Sequence, residues 1–198
     1  AVQVREALDN TQTDEVFEFG AGTGALALQL LEALGDRVRR YTIIDLSGTL
    51  KARQAERLAR FGERVHWAHA WPESMQGVVV GNEVLDAMPV QLLHFDGERW
   101  HERGVASHTD ALGQTGFVYA DRDTVLKPPV DTPFISGTVT EVHIQAEAFI
   151  RTLAAHLQRG AAFFGLRIGT GPWRRASITC TKVISATRTG SAAPCIAY

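Results

Sequence analysis

The sequence predicts an α/β fold, a mainly parallel sheet flanked by helices with a β-hairpin inserted after the fourth strand. Short β-rich runs alternate with helical patterns along the first eighty or so residues, as in successive strand–helix units. The apolar run Val16-Phe17-Glu18-Phe19 breaks into Gly20-Ala21-Gly22-Thr23-Gly24 and passes at once into Ala25-Leu26-Ala27-Leu28-Gln29-Leu30-Leu31. That order reads as strand, tight turn and helix N-terminus. Further strands at Tyr41–Ile44 and Gly77–Gly81 are each followed by polar residues, placed where open parallel sheets keep their ligands.

Composition narrows the class without naming a chemistry. A chain of 198 residues suits one domain with a sizeable core of its own. A net charge of -2 predicts no polyanion-binding surface, so nucleic acid is not expected as a partner. No signal peptide or apolar run of membrane length stands in the sequence, and a cytoplasmic location without membrane attachment is expected. Cys180 and Cys195 are too few and too far apart for a zinc site without His partners at ligand spacing, so no metal is expected.

Residues 1 to 14 carry Val2, Val4 and Leu8 among polar neighbours, the end of a helix, and Asp14 leads into the first strand. A domain rarely begins so close to its central motif, so the chain is expected to be part of a longer protein. In the glycine turn the chain must reverse sharply and let a ligand approach bare backbone, while the helix behind it offers unpaired N–H groups. This is a nucleotide-type cofactor loop. Gly20, Gly22 and Ala25 satisfy the dinucleotide pattern G-x-G-x-x-G/A. Glu18, two residues before the first glycine, together with Gly24 extends the pattern to E-x-G-x-G-x-G. In that form the stretch resembles the first motif of class I S-adenosylmethionine (SAM) methyltransferases, which have a Rossmann-like fold. SAM has no pyrophosphate but carries an ammonium and a sulfonium, so a carboxylate at the end of the first strand makes physical sense.

Leu26, Leu28, Leu30, Leu31 and Leu34 give the next helix a broad apolar face, and Gly35 stops it. The second strand ends in Asp45, 21 residues beyond Gly24, where a carboxylate receives a cofactor's ribose hydroxyl pair. Both SAM and NAD present that diol, so Asp45 supports a cofactor without choosing between them; a helix-capping or loop aspartate is the plain alternative. Ser47 is a candidate N-cap for a helix with Leu50, Leu58 and Phe61 set among Lys51, Arg53, Gln54, Glu56 and Arg57, whose charged positions form a solvated face. Arg64–Ala68 reads as a third strand, and the loop leaving it brings His69 or Trp71 within reach of an adenine. A tryptophan covering the edge of the core fits that position equally well.

Asn82-Glu83-Val84-Leu85-Asp86-Ala87-Met88-Pro89-Val90 directly follows the fourth strand. This segment looks like the N-E-x-x-D-A-x-P-V signature of the MidA-like methyltransferases, relatives of the mitochondrial complex I assembly factor that methylates a protein arginine. The resemblance covers roughly residues 1 to 164. It implies a class I methyltransferase fold, SAM as cofactor, and methyl transfer to a protein arginine, with a mitochondrial matrix setting for eukaryotic relatives. Gly20, Gly22 and Gly24 would pass under the amino acid part of SAM, Glu18 would support its ammonium, and Asp45 would take the ribose hydroxyls. Asn82, Glu83 and Asp86 would hold the acceptor, Glu83 and Asp86 standing near one another if a helical turn begins there. Three other classes remain open: a small-molecule methyltransferase, a non-catalytic SAM-binding assembly factor, and an NAD(P)-binding Rossmann protein, which has no use for the Asn82 to Pro89 segment.

The hairpin follows, Leu92–Phe95 and Arg99–Arg103 joined through Asp96-Gly97, a pair that favours a type I′ turn. Similar hairpins follow the fourth strand in the MidA-like family. Asp110 to Gly116 reads as a loop, Phe117–Tyr119 as a short strand, and residues 127 to 137 as irregular. Val142, Ala146, Phe149, Ile150, Leu153 and Leu157 recur at helical spacing, which predicts a helix over 141–158, and Ala161–Phe164 begins a fifth strand. All 22 acids lie in residues 1 to 147, while the remaining residues keep seven Arg or Lys. A basic tail is one reading and a shifted reading frame the other. The second is preferred because the family's fifth strand runs into Asp-Tyr-Gly and then Glu-Tyr-Tyr, and codons allowed for 165–168 and 176–182 can spell those residues when shifted. Residues 165–198 are therefore expected to be an aberrant tail that does not continue a well-packed sheet.

Overall fold

The structure, a computed structural model, describes residues 1–45, 48–165 and 182–185. It divides into two compact units, one made of Ala1–Ala87 with the described residues from Ile150 onward, the other of Met88–Phe149.

In the first unit α1 (Val2–Thr11) buries Val4, Ala7, Leu8 and Thr11, a stripe at three- and four-residue spacing. Strand β1 (Glu15–Phe19) then enters the middle of a six-stranded sheet, with Val16, Phe17, Glu18 and Phe19 all buried. Burial on both faces is what a continuous apolar run allows and an alternating one does not. Strands β2 (Arg40–Ile44) and β4 (Met75–Asn82) lie parallel to β1 on either side, Phe19 standing opposite Ile44 and Gly81. Beyond β2 comes β3 (Val65–Ala68), and beyond β4 comes β9 (Leu157–Gly165), both parallel to their neighbours. Helices α2 (Ala25–Leu34) and α3 (Gly48–Leu58) make the crossovers from β1 to β2 and from β2 to β3. The next strand in sequence, β4, sits on the other side of β1, so the winding reverses there, and the carboxyl ends of β1 and β4 are where open sheets of this kind take their ligands. The core joins α1 and α2 to the sheet through Leu8, Leu30, Leu31, Tyr41, Ile43 and Val78. Each large apolar side chain so buried contributes roughly 1.5–3 kcal/mol before entropy is counted.

Strand β10 (Lys182–Ser185) pairs antiparallel with β9, Lys182 opposite Ala162 and Ser185 opposite Arg159. At these four residues, and at Gly165, which closes β9 opposite Asn82, the expectation that the tail leaves the sheet is not met. The rest of the expected aberrant segment, 166–181 and 186–198, lies outside the described residues, as does the candidate N-cap Ser47.

The second unit is an antiparallel sheet in the order β7-β6-β5-β8, formed by β5 (Gln91–Phe95), β6 (Trp100–Thr109), β7 (Thr115–Asp123) and β8 (Val139–Val142). The hairpin is present, but its connection is not a type I′ turn. Only Gly97 of the pair has positive φ, and the Asp96 carboxylate accepts hydrogen bonds from the Glu98 and Arg99 N–H groups, both at 2.8 Å. A side-chain-capped loop of four residues replaces the two-residue turn because those bonds satisfy the backbone without a left-handed Asp96. Strands β6 and β7 run much further than the expected Arg99–Arg103 and Phe117–Tyr119. The expected helix over 141–158 is also corrected at both ends: Val142 closes β8, α4 spans Ile144–His156, and Leu157 already belongs to β9. Helical spacing continues through Leu157 by coincidence with the buried face of a strand. Among the described residues no helix is long and apolar enough to cross a membrane.

Candidate functional site

Three parallel neighbours, β2, β1 and β4, end on one edge of the first unit. The register sets Phe19, Ile44 and Gly81 side by side, so Gly20, Asp45 and Asn82 are the first residues beyond the ladder or its last rung. Sequence positions far apart are thereby brought to one place.

Gly20, Gly22 and Gly24 all have positive φ, at 63°, 54° and 77°. Side chains rarely tolerate that backbone, so glycine at alternate positions is a conformational requirement here. Each glycine meets a different surrounding. A Cβ on Gly20 would lie 3.1 Å from Val84 Cγ2, and one on Gly24 would lie 3.4 Å from Gln54 Cγ, whereas one on Gly22 would meet nothing within 4 Å. The turn is packed from below at its two ends and open at its middle glycine. An adenosyl or dinucleotide cofactor needs that opening.

Glu18 stands at the next-to-last position of β1, 2% exposed. Its Oε2 accepts a hydrogen bond from the Tyr41 hydroxyl at 2.7 Å. Burial pushes the Glu18 carboxyl up to about 7; the Tyr41 bond opposes this, and the nearby Asp45 adds to it. Tyr41 is driven well above its ordinary value by burial and by the facing Glu18. A cation beside this pair would favour the ionised carboxylate.

Asp45, half-buried at the end of β2, accepts from Gln54 Nε2 at 3.0 Å. The same nitrogen donates to the Gly22 carbonyl at 2.9 Å, and Gln54 Oε1 accepts from the Trp67 indole N–H at 2.9 Å. Gln54 is fully buried, although in sequence it stands between the charged residues expected to form the helix's solvated face. The signal that finds it is its spacing: it lies four residues after Leu50 and four before Leu58, on the helix's inward stripe. Arg57, one turn further along α3, donates to Thr23 Oγ1 at 2.9 Å.

Of the two adenine candidates, Trp71 stacks at a tilt on Phe19, ring centroids 4.6 Å apart, and lies 5.8 Å from His156. It therefore covers the carboxyl end of β1. His69 is exposed, with Lys51 Nζ 3.3 Å from its Nε2.

Of the acceptor candidates, Asn82 is the last residue of β4, paired with Gly165, rather than the first beyond the strand as expected, and Glu83 and Asp86 follow it. Asn82, Glu83 and Asp86 are all exposed. No helical turn begins at Glu83; residues 83–85 form bends and 86–87 a turn. Glu83 adopts φ 55°, a left-handed backbone uncommon for a residue with a side chain, and its N–H donates to the Gly165 carbonyl at 2.8 Å. Glu83 is in this way re-aimed at the end of the strand, and a Cβ on Gly165 would lie only 2.8 Å from Asn82 Oδ1. Among the described residues no group of His, Cys, Asp or Glu is arranged to hold a metal ion.

Solved structures place this geometry among known proteins. An uncharacterised protein from Burkholderia thailandensis is 47% identical with a TM-score of 0.70, over 85% of this chain and 47% of that one. A second B. thailandensis structure, bound to S-adenosyl-homocysteine, is 48% identical with a TM-score of 0.67, over 81% of this chain and 43% of that one. The chain spans less than half the length of these two relatives. No curated protein matches it. An α/β sheet of this order, an open glycine turn between two acids, and the family model matched over residues 1–165 agree: the chain belongs to the family described as "Putative S-adenosyl-L-methionine-dependent methyltransferase".

Proposed function

We propose that this chain binds S-adenosyl-L-methionine at the carboxyl edge of β2, β1 and β4 and serves a cytoplasmic protein-arginine methyltransferase of the MidA-like kind, with a link to respiratory complex I assembly. The observation that carries the cofactor reading is the left-handed glycine turn, open at Gly22 and flanked by the carboxylates of Glu18 and Asp45. The residues present fit the cofactor's chemistry. Glu18, buried and poised between charge states, suits the ammonium; Asp45, held by Gln54, suits the ribose diol; Gly20, Gly22 and Gly24 let the amino acid part pass over bare backbone.

Bound SAM supplies an electrophilic methyl on a sulfonium. The protein's task is to hold an acceptor nitrogen in line with that methyl at short range, because an in-line displacement gains most from positioning. A guanidinium is a planar cation best gripped by carboxylates. Glu83 and Asp86, exposed beside the strand end, are assigned that grip, and Asn82 is assigned the alignment of the acceptor through its amide. His69 and Trp71 are assigned to the adenine side. The likeness of the Asn82–Val90 segment to the MidA-like signature supports the arginine acceptor.

Calorimetric titration with S-adenosylhomocysteine and, separately, with NADH tests the cofactor; binding of NADH alone would replace this reading with a nicotinamide one. Radiolabelled methyl transfer to a cell lysate tests the acceptor. Label recovered as methylarginine in protein supports the reading. Label recovered only in small molecules makes the chain a small-molecule methyltransferase, and cofactor binding without label makes it a SAM-binding assembly factor.

A further inference from the structure

We propose that Gln54 is a positioning residue for the cofactor, one that fixes the carboxylate of Asp45 against the backbone of the glycine turn. The inference rests on the SAM reading of this edge and deepens it, since it names what sets the spacing between the ribose acid and the loop.

Gln54 sits on α3 at a position that packing alone would give to an apolar residue. Leu50 and Leu58 flank it at four-residue spacing, Leu58 is 1% exposed, and Gln54 itself is 0% exposed. A buried primary amide is costly unless its groups are paired, and here they are. Trp67 Nε1–H can only donate, so it fixes Gln54 Oε1 on its side at 2.9 Å. The two N–H bonds of Nε2 then face two groups that can only accept, the Gly22 carbonyl at 2.9 Å and Asp45 Oδ2 at 3.0 Å. The amide orientation follows from chemistry alone. No other side chain of this length provides one acceptor and two divergent donors, and Glu would set a second carboxylate against Asp45.

The helix that carries Gln54 also approaches the loop closely. A Cβ on Gly24 would lie 3.4 Å from Gln54 Cγ and 3.6 Å from its Cα, and Arg57 reaches Thr23 one turn later. Helix α3 thus holds the glycine turn at Gly22 and at Thr23, while the same amide holds Asp45. The Gln54 amide bridges the backbone assigned to pass under the ligand and the carboxylate assigned to its diol, and helps set the distance between them.

The test separates this role from general packing by using the ligand's diol. The chain and its Gln54→Leu variant are titrated with S-adenosylhomocysteine and with its 2′,3′-dideoxy analogue. The parent should prefer the diol ligand by about tenfold or more, the range of a hydrogen-bonded charged group. In Gln54→Leu that preference should fall to within about threefold, whatever happens to affinity overall. A packing defect weakens both ligands alike and leaves the ratio unchanged. Trp67→Phe, which keeps the amide but removes its anchor, should lower the ratio in the same direction and serves if Gln54→Leu does not fold. An unchanged ratio in the folded variant or variants overturns the positioning role. A parent that binds neither ligand overturns the cofactor reading and this inference with it.

Discussion

The Tyr41 hydroxyl donates to Glu18 Oε2 at 2.7 Å, from the adjacent strand and the same face of the sheet. Two buried oxygen acids share one hydrogen bond, and burial pushes the carboxyl from 4.5 up to about 7, with the Tyr41 bond opposing and Asp45 adding to the rise. A carboxyl with a raised folded value binds more protons folded than unfolded, so it stabilises the fold at low pH and loses that contribution as pH rises. Stability from Glu18 should be full below about pH 4.5 and should decline toward and through pH 7, by on the order of 3 kcal/mol. Urea denaturation at several values between pH 5 and 8 measures it. Glu18→Gln should flatten that slope, and an equal slope in parent and variant would place the titration elsewhere.

The same pair predicts a proton linkage on binding. An ammonium beside Glu18 favours the ionised carboxylate, so binding of S-adenosylhomocysteine near pH 7 should release a fraction of a proton, about half. Calorimetry in buffers of different ionisation enthalpy counts it. Methylthioadenosine, which lacks the amino acid part, should release none, and Glu18→Gln should abolish the release. Equal release by both ligands would remove Glu18 from the ammonium site.

Gly22 gives the clearest test of the loop. Its φ of 54° and the open space at its Cβ position mean that a substitution strains the backbone but strikes no protein atom. Gly22→Val should therefore keep a helix-and-strand spectrum, cost on the order of 1–3 kcal/mol of stability, and abolish SAM binding. Unchanged affinity in the folded variant would move the cofactor away from this turn.

What the sequence revealed and what it hid have physical causes. The glycine turn is legible because only glycine suits three left-handed positions, and the place of Asp45 follows from the short β-rich run that ends at Ile44. Gln54 was missed because a polar letter among charged ones reads as surface, and its three partners come from the turn, the end of β2 and β3. No local pattern announces such a meeting. The helix over 141–158 was overextended because Val142 and Leu157 continue its period while lying in strands on either side. The four-residue β8 carries too little alternation to oppose a helical repeat, and Leu157 is only the first residue of β9, where the period of the helix has not yet given way. The Asp96-Gly97 turn was misread because a carboxylate that caps its own loop makes the left-handed route unnecessary.

The last prediction concerns Glu83, whose backbone and side chain make opposite demands. A left-handed φ costs a residue with a Cβ about 1–3 kcal/mol, and glycine at that site would relieve it. Glycine also makes the unfolded chain freer, offsetting about 0.4–1 kcal/mol of the gain. Glu83→Gly should therefore lie between neutral and stabilising by about 2.5 kcal/mol, since the bond from its N–H to Gly165 needs no side chain. If the carboxylate grips the acceptor, the same variant should lose methyl transfer while binding S-adenosylhomocysteine as the parent does. Glu83→Gln separates charge from shape: it keeps the length and the backbone strain, and should lower transfer by a factor on the order of 10² or more, the loss expected when a positioning charge is removed. These measurements belong in a version of full family length, because the chain spans less than half of its solved relatives. Full activity in Glu83→Gln would leave the residue a role in shaping the end of β4 and pass the acceptor grip to Asp86.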